Sequence, residues 1–289
     1  MEIVVPCYKP IRGYKCSDGS VVWNQLSKYD IVGDIKLPCA QCIGCRLDRA
    51  REWSVRCLHE AKLHEQNSFI TLTYNDENLP TGNTLVYRDY QLFMKRLRKI
   101  TPPVRFFMCG EYGEGTARPH YHAIIFGYQF PDLQYWGTSP TGHPVYRSSQ
   151  LEQLWTLGNS LIGNVTKQSA GYVARYCMKK VTGDLADEHY KGRTPEFAHM
   201  SLKPGIGANF FRKFTSDILP NDYVIEDGYK IPVPKYYDKL YKGNDIEDIK
   251  WKREQYAQKF AQNNTPERLT ARETVQQARA NMLLRGKIQ

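Results

Sequence analysis

The sequence predicts an α+β fold, a central antiparallel sheet with helices on one face, and three patterns in its middle carry that reading. Phe69–Tyr74 alternates apolar residues with threonines, the period of a strand. Tyr90, Phe93, Met94, Leu97 and Ile100 recur at helical spacing until Pro102-Pro103 stops them. Arg105–Cys109 and the β-branched run His120–Phe126 read as two strands around the glycine-containing loop Gly110–Pro119. A short helix at Leu151–Leu157, a strand at Leu161–Thr166 and a helix from about Gln168 follow. The order strand, helix, strand, strand, helix, strand, helix is the ferredoxin-like, split βαβ pattern with one extra helix.

The flanks are read element by element. Leu47, Ala50, Ser54, Cys57, Leu58 and Ala61 sit at helical spacing within residues 45–66, so a helix follows the cysteine-containing N-terminal segment. Gly137, Pro140, Gly142 and Pro144 mark residues 128–147 as an insertion loop. Ser201–Asn209 is a glycine-containing turn. Beyond it, Ile246, Ile249, Tyr256 and Phe260 suggest a helix over Asp245–Gln262, and Thr265-Pro266-Glu267 is the cap and first turn of another. The expected organisation is a cysteine-containing segment and helix at 1–66, a central domain at 67–214 and a basic helical segment at 215–289.

With 289 residues the chain can bury one sizeable core and a smaller appended unit. Forty Lys and Arg against thirty Asp and Glu leave a formal charge of +10, which favours a polyanionic partner. Twenty tyrosines, eleven phenylalanines and five tryptophans offer stacking faces for unpaired bases, although most aromatics are core. No apolar stretch reaches the roughly 18 residues of a membrane span, and the start has no signal-peptide pattern. A cytoplasmic protein is expected, its eight cysteines thiols or metal ligands rather than disulfides.

Two elements carry chemistry. In Arg118-Pro119-His120-Tyr121-His122, strand alternation turns His120 and His122 to one face, roughly 6–7 Å apart along the backbone, as a pair of potential metal ligands. In Gly171-Tyr172-Val-Ala-Arg175-Tyr176-Cys-Met-Lys179-Lys180, helical spacing stacks two phenols on one face among cations that can hold a phosphate. Alone, either element reads as strand histidines satisfied by hydrogen bonds or as a tyrosine stripe in a core. Together, in a basic chain, they favour chemistry over packing.

These motifs resemble those of the HUH endonucleases, tyrosine nucleases that nick single-stranded DNA to start rolling-circle replication. Tyr121 takes the middle position of His-hydrophobic-His. The paired Tyr172 and Tyr176, with Pro38-Cys-Ala-Gln-Cys-Ile-Gly-Cys-Arg46 and Tyr-Val-Ala-Arg-Tyr-Cys-Met-Lys-Lys, are similar to the gokushovirus-type initiators of microviruses, and Phe69–Tyr74 resembles the family's first motif. The resemblance covers roughly residues 38–214. It implies a Mg²⁺ or Mn²⁺ ion on His120, His122 and a carboxylate eight or nine residues earlier, which makes Glu111 the third ligand and Glu114 the fallback. It further implies attack by Tyr172 or Tyr176, helped by Arg175, Lys179 or Lys180, to leave a 5′-phosphotyrosine and a free 3′-OH. No Gly-x-x-x-x-Gly-Lys-Ser/Thr element is present, so a helicase and a polymerase are expected from a bacterial host.

Cys39-x-x-Cys42-x-x-Cys45 is a second candidate metal site, most simply for zinc with Cys7 or Cys16 as fourth ligand. The triplet also resembles part of an iron–sulfur spacing, and thiols that merely help a helix pack are the bland alternative. Two rival functions remain at this stage. One is a transposase or relaxase with the same chemistry. The other is a non-catalytic, zinc-containing protein that binds single-stranded nucleic acid.

Overall fold

The structure is a computed structural model that describes residues 7–26, 28–113, 115–139, 141–175, 180–181, 183 and 185–282. The chain divides into two compact units, one from residues 3–48 and 247–284, the other chiefly from residues 49–246. The cysteine-rich N-terminal segment and the C-terminal helices therefore share one unit. That unit holds a three-stranded sheet in which β1 (Ile11–Cys16) lies between β2 (Val21–Val22) and β3 (Ile31–Leu37). Its C-terminal helix, Pro266–Met282, begins with the expected proline, and Thr265 Oγ1 accepts from the Arg268 N–H at 3.4 Å.

The larger unit is built on a seven-stranded sheet. α1 (Ile43–Ala61) precedes β4 (Asn67–Tyr74), α2 (Tyr87–Ile100), β5 (Arg105–Tyr112) and β6 (Pro119–Phe126). β7 (Gln134–Thr138), β8 (Pro144–Arg147), α3 (Ser149–Leu154), β9 (Gly158–Gly163) and α4 (Lys167–Ala174) follow. With β10 (Phe197–Met200), the strand order is β10-β5-β6-β4-β9-β8-β7, every pairing antiparallel. The α+β class and the large antiparallel sheet are as the sequence predicts.

Helices cover both faces of this sheet, which corrects the expectation of one. On one face Ile70, Leu72, Met108, Tyr121, Ala123 and Ile125 pack with Tyr90, Phe93, Met94 and Leu97 of α2 and Leu151 and Leu154 of α3. On the other, Phe69, Phe107, Ile124 and Phe126 pack with Cys57 of α1 and Ala170 and Val173 of α4. The run Ala123-Ile-Ile-Phe126 foreshadows this, because a strand buried on both faces loses its polar alternation. Burying each such side chain contributes roughly 1.5–3 kcal/mol, so the sheet centre is the stiffest place from which to present polar groups.

Three other expectations change. Residues 128–147 are not a loop, since β7 and β8 extend the sheet as a hairpin. Of the residues that suggested a loop, Gly142 lies in its turn, Gly137 pairs within β7, and Pro144 takes the first position of β8, where a ladder donor is dispensable. β5 continues past Cys109 to Tyr112, so Glu111 is a strand residue rather than a loop residue. The segment 215–289 includes a hairpin, β11 (Tyr223–Glu226) with β12 (Tyr229–Pro232), besides its helices. No helix among the described residues is long and apolar enough to cross a membrane.

Candidate active site and metal centres

Register builds the site. Across β5 and β6, Glu111 pairs with His120 and Cys109 with His122, so the carboxylate and both imidazoles share a face. Their ligand atoms lie within 4.8 Å of one another. Glu111 Oε1 is 3.2 Å from His120 Nε2 and 3.3 Å from His122 Nε2. Two donors bound near 2.1 Å to one four- or six-coordinate ion stand about 3.0–3.4 Å apart, so the spacing fits.

The proton inventory points the same way. The His120 Nδ1 lies 3.1 Å from the Arg118 carbonyl, and a carbonyl can only accept, so Nδ1 carries the hydrogen. His120 Nε2 then faces Glu111 Oε1 at 3.2 Å. The Thr71 hydroxyl hydrogen-bonds to His122 Nδ1 at 2.9 Å and orients the ring, a partner the sequence did not single out. Phe69 stacks on the His122 ring, centroids 5.7 Å apart at 3°. With Nδ1 of each ring engaged elsewhere, both Nε2 atoms are turned toward the Glu111 carboxylate, the arrangement in which the three groups could share a cation.

Glu111 and His122 are almost fully covered, while the His120 side chain is 15% exposed and marks the open side. Burial alone would raise the Glu111 carboxyl, but hydrogen bonds and charge from His120 and His122 outweigh it and hold the group well below its ordinary range. It is an anion, the charge state that a metal ligand needs.

α4 brings the tyrosine. A capping box between Thr166 and Ser169 fixes its start, Ala170 and Val173 bury its inner face, and α4 packs against β5 and β6. Tyr172 thereby sits edge-on to His122, centroids 4.7 Å apart, and its hydroxyl donates to Glu111 Oε1 at 3.0 Å. Burial, then the charge of Glu111, push this phenol above its usual pKa. Arg175 closes the helix with its guanidinium 5.9 Å from the Tyr172 ring centre. Tyr176, Lys179 and Glu114 lie outside the described residues.

The second cluster gathers Cys7, Cys39, Cys42 and Cys45, again with ligand atoms within 4.8 Å. Cys39 Sγ is 4.0 Å from Cys45 Sγ, and Cys42 Sγ is 3.9 Å from Cys7 Sγ. Backbone N–H groups of Cys39, Cys42 and Tyr8 donate to the sulfurs of Cys7, Cys39 and Cys42 at 3.2, 3.2 and 3.3 Å. Against the cost of burial, the N–H groups of Cys45 and Tyr8 bring the Cys42 thiol down to about 7. Cys16, weighed as the fourth member, is buried elsewhere at the end of β1.

The family of replication-associated proteins of the ORF2 type matches residues 67–181. Replication-associated protein VP4 of Bdellovibrio phage phiMH2K is 35% identical over 256 residues, 85% of this chain and 79% of that protein. Replication-associated protein ORF2 of Spiroplasma virus 4 is 35% identical over 238 residues, covering 77% of this chain and 72% of the relative. Replication-associated protein ORF4 of Chlamydia phage 1 is 29% identical over 251 residues, covering 81% of this chain and 62% of the relative. No solved structure matches the chain.

Proposed function

Because the chain belongs to the replication-associated proteins of microviruses, we propose that it starts rolling-circle replication of a small phage genome by nicking and rejoining single-stranded DNA at an origin. The observation that carries this is the convergence of His120, His122 and the Tyr172 hydroxyl on one carboxylate oxygen of Glu111. Both nitrogens present Nε2, so the mixed N,O set suits Mn²⁺ well and Mg²⁺ acceptably. When bound, the cation supplies Lewis acidity and neutralises charge on the phosphodiester.

Within that frame the protein's own groups do the rest. The Tyr172 phenol, hydrogen-bonded to Glu111, releases its proton to solvent, and its oxygen bonds to phosphorus. The P–O3′ bond breaks, and the departing oxygen takes up a proton to become a 3′-OH. A 5′-phosphotyrosine remains, so the phosphodiester is exchanged rather than hydrolysed and rejoining needs no nucleotide triphosphate. Arg175, beside the phenol, and Lys179 supply positive charge for the phosphate oxygens. Tyr176, four residues on, is the second nucleophile that lets one molecule cut, release a circle and stay attached.

The test is a covalent adduct. Full-length protein, a circular single strand and Mn²⁺ should give a protein–DNA species that survives denaturation, fails to form in EDTA and maps to Tyr172 or Tyr176. DNA on any other tyrosine, or unchanged cleavage in EDTA, overturns the assignment. In the host cytoplasm the 3′-OH would be extended by a host polymerase while a host helicase opens the duplex. For the four cysteines the reading is structural zinc, because a tetrahedral thiolate site with bonds of about 2.3 Å sets sulfurs about 3.8 Å apart. Metal analysis of protein purified without chelator tests it.

A further inference from the structure

On the histidine-bearing face of the sheet α4 packs mainly over β5 and β6, and its Tyr172 reaches Phe69 of β4. Beyond His122 the same face continues across β4, β9 and β8. His120 pairs with Thr73 and Thr73 with Asn159, while His122 pairs with Thr71 and Thr71 with Leu161. Ile124 pairs with Phe69, Phe69 with Gly163, and Gly163 with Val145, so Val145 and, two residues on, Arg147 face the same side as the histidines. Along this strip Thr73, Leu161 and Arg147 are half-buried and Asn159 is exposed. The row runs three strand spacings, about 14 Å, the rise of about four stacked nucleotides.

The strip ends on an aromatic surface. The pairing of β7 with β8 is irregular between Tyr135 and Gly137, and Trp136 at that irregularity is 62% exposed. The Arg147 guanidinium lies over its ring, 4.6 Å from the centre. Arg147 is itself held at 2.7 and 2.6 Å by Glu152 Oε1. Glu152 neutralises that arginine, so Arg147 serves as a rigid backing for the indole rather than as a phosphate ligand. An exposed indole fixed from behind is a stacking surface for an unpaired base.

We propose that single-stranded DNA reaches the metal cluster along this strip, its bases facing the sheet and one of them stacked on Trp136. The inference deepens the nicking reading and rests on it for the choice of ligand. The continuity of the strip with the catalytic face favours the same ligand there, and the chain's formal charge of +10 favours a polyanionic partner for the protein as a whole. Thr73 and Asn159 add polar groups able to hydrogen-bond bases along the way.

The test uses full-length protein, EDTA to prevent cleavage, and a labelled single-stranded oligonucleotide followed by anisotropy. Trp136→Ala should weaken binding between about 5- and 150-fold, and Trp136→Phe should restore most of the loss. Trp251→Ala, which removes an indole of similar exposure, should change nothing. Quenching of tryptophan fluorescence by the oligonucleotide should diminish in Trp136→Ala alone. Unaltered binding in Trp136→Ala, an equal loss in Trp251→Ala, or tighter binding of duplex than of single strand would each overturn the proposal. If the wild type forms no covalent adduct yet binds single strands through Trp136, the catalytic reading falls and the track stands. If adduct forms normally and Trp136→Ala binds like the wild type, the track alone falls.

Discussion

The two ligand clusters of this chain are built by opposite means. Three of the four thiols come from one short stretch, Cys39 to Cys45, at the start of α1, with Cys7 completing the set. Cys39, Cys42 and Cys45 are placed locally, with the Cys42 N–H aimed at the Cys39 sulfur, and Cys7 is tied to them by N–H groups of Cys39 and Tyr8 that donate to sulfur. Glu111, His120 and His122 instead depend on the register of two strands, and their outer partners Thr71 and Phe69 come from a third. Four soft ligands leave a tetrahedral ion no further position, whereas three hard or borderline ligands with one open side leave room for substrate. The Glu111, His120 and His122 cluster has the Tyr172 phenol against it. The contrast suggests that closure and softness mark the structural site, and openness beside a phenol marks the catalytic one.

That contrast can be broken by experiment, and the largest effect should come from the open cluster. Glu111→Ala and His122→Ala should each lower cleavage of a single-stranded oligonucleotide by at least about a hundredfold, a loss typical of removing a group that stabilises the transition state. Zinc content should be untouched, and a variant that still cleaves at the wild-type rate would break the assignment. Tyr172→Phe comes next. It should keep divalent-ion binding, measured by calorimetry, yet lose adduct at this residue; persistent adduct would have to map to Tyr176 to keep the two-tyrosine reading.

Smaller effects sharpen the comparison. Thr71→Val leaves the ligands but removes the group that orients His122, so the Mn²⁺ concentration for half-maximal cleavage should rise about 10- to 100-fold. Saturating metal should then recover most of the rate, an outcome that a simple folding defect would not produce. Cys39→Ser and Cys45→Ser should remove one equivalent of zinc and lower the melting temperature by several degrees, while the folded fraction still forms adduct. Cys16→Ser, outside the cluster, should leave zinc content unchanged. A thiol variant that abolished cleavage in fully folded protein would mean that the two clusters are not independent.

Much of the central architecture was readable from local pattern. The threonine alternation of β4, the amphipathic spacing of α2 and the apolar run of β6 each follow from short-range periodicity, which the finished fold respects. The His120/His122 pair was equally legible, because alternation alone places them on one face. The edge hairpin β7–β8 was hidden by its glycine and proline residues, two of which, Gly137 and Pro144, lie in the strands. β10 and the β11–β12 hairpin, four residues a strand, are too short to show a period.

What the sequence determined by itself was therefore the inventory: which strand carries two imidazoles, which helix carries the phenols, and which segment carries clustered thiols. Only the tertiary structure decided the pairings. Glu111 meets His120 because β5 runs past its apolar pattern and pairs with β6 in one register; a one-residue slip would turn the carboxylate to the opposite face. Cys7 rather than Cys16 joins the thiols because a chain crossing of more than thirty residues, not a spacing rule, brings it there. Thr71, Phe69 and Trp136 gained their places from partners on other strands. Long-range register costs chain entropy that local propensity cannot reveal, so it is settled only when both faces of the sheet are buried.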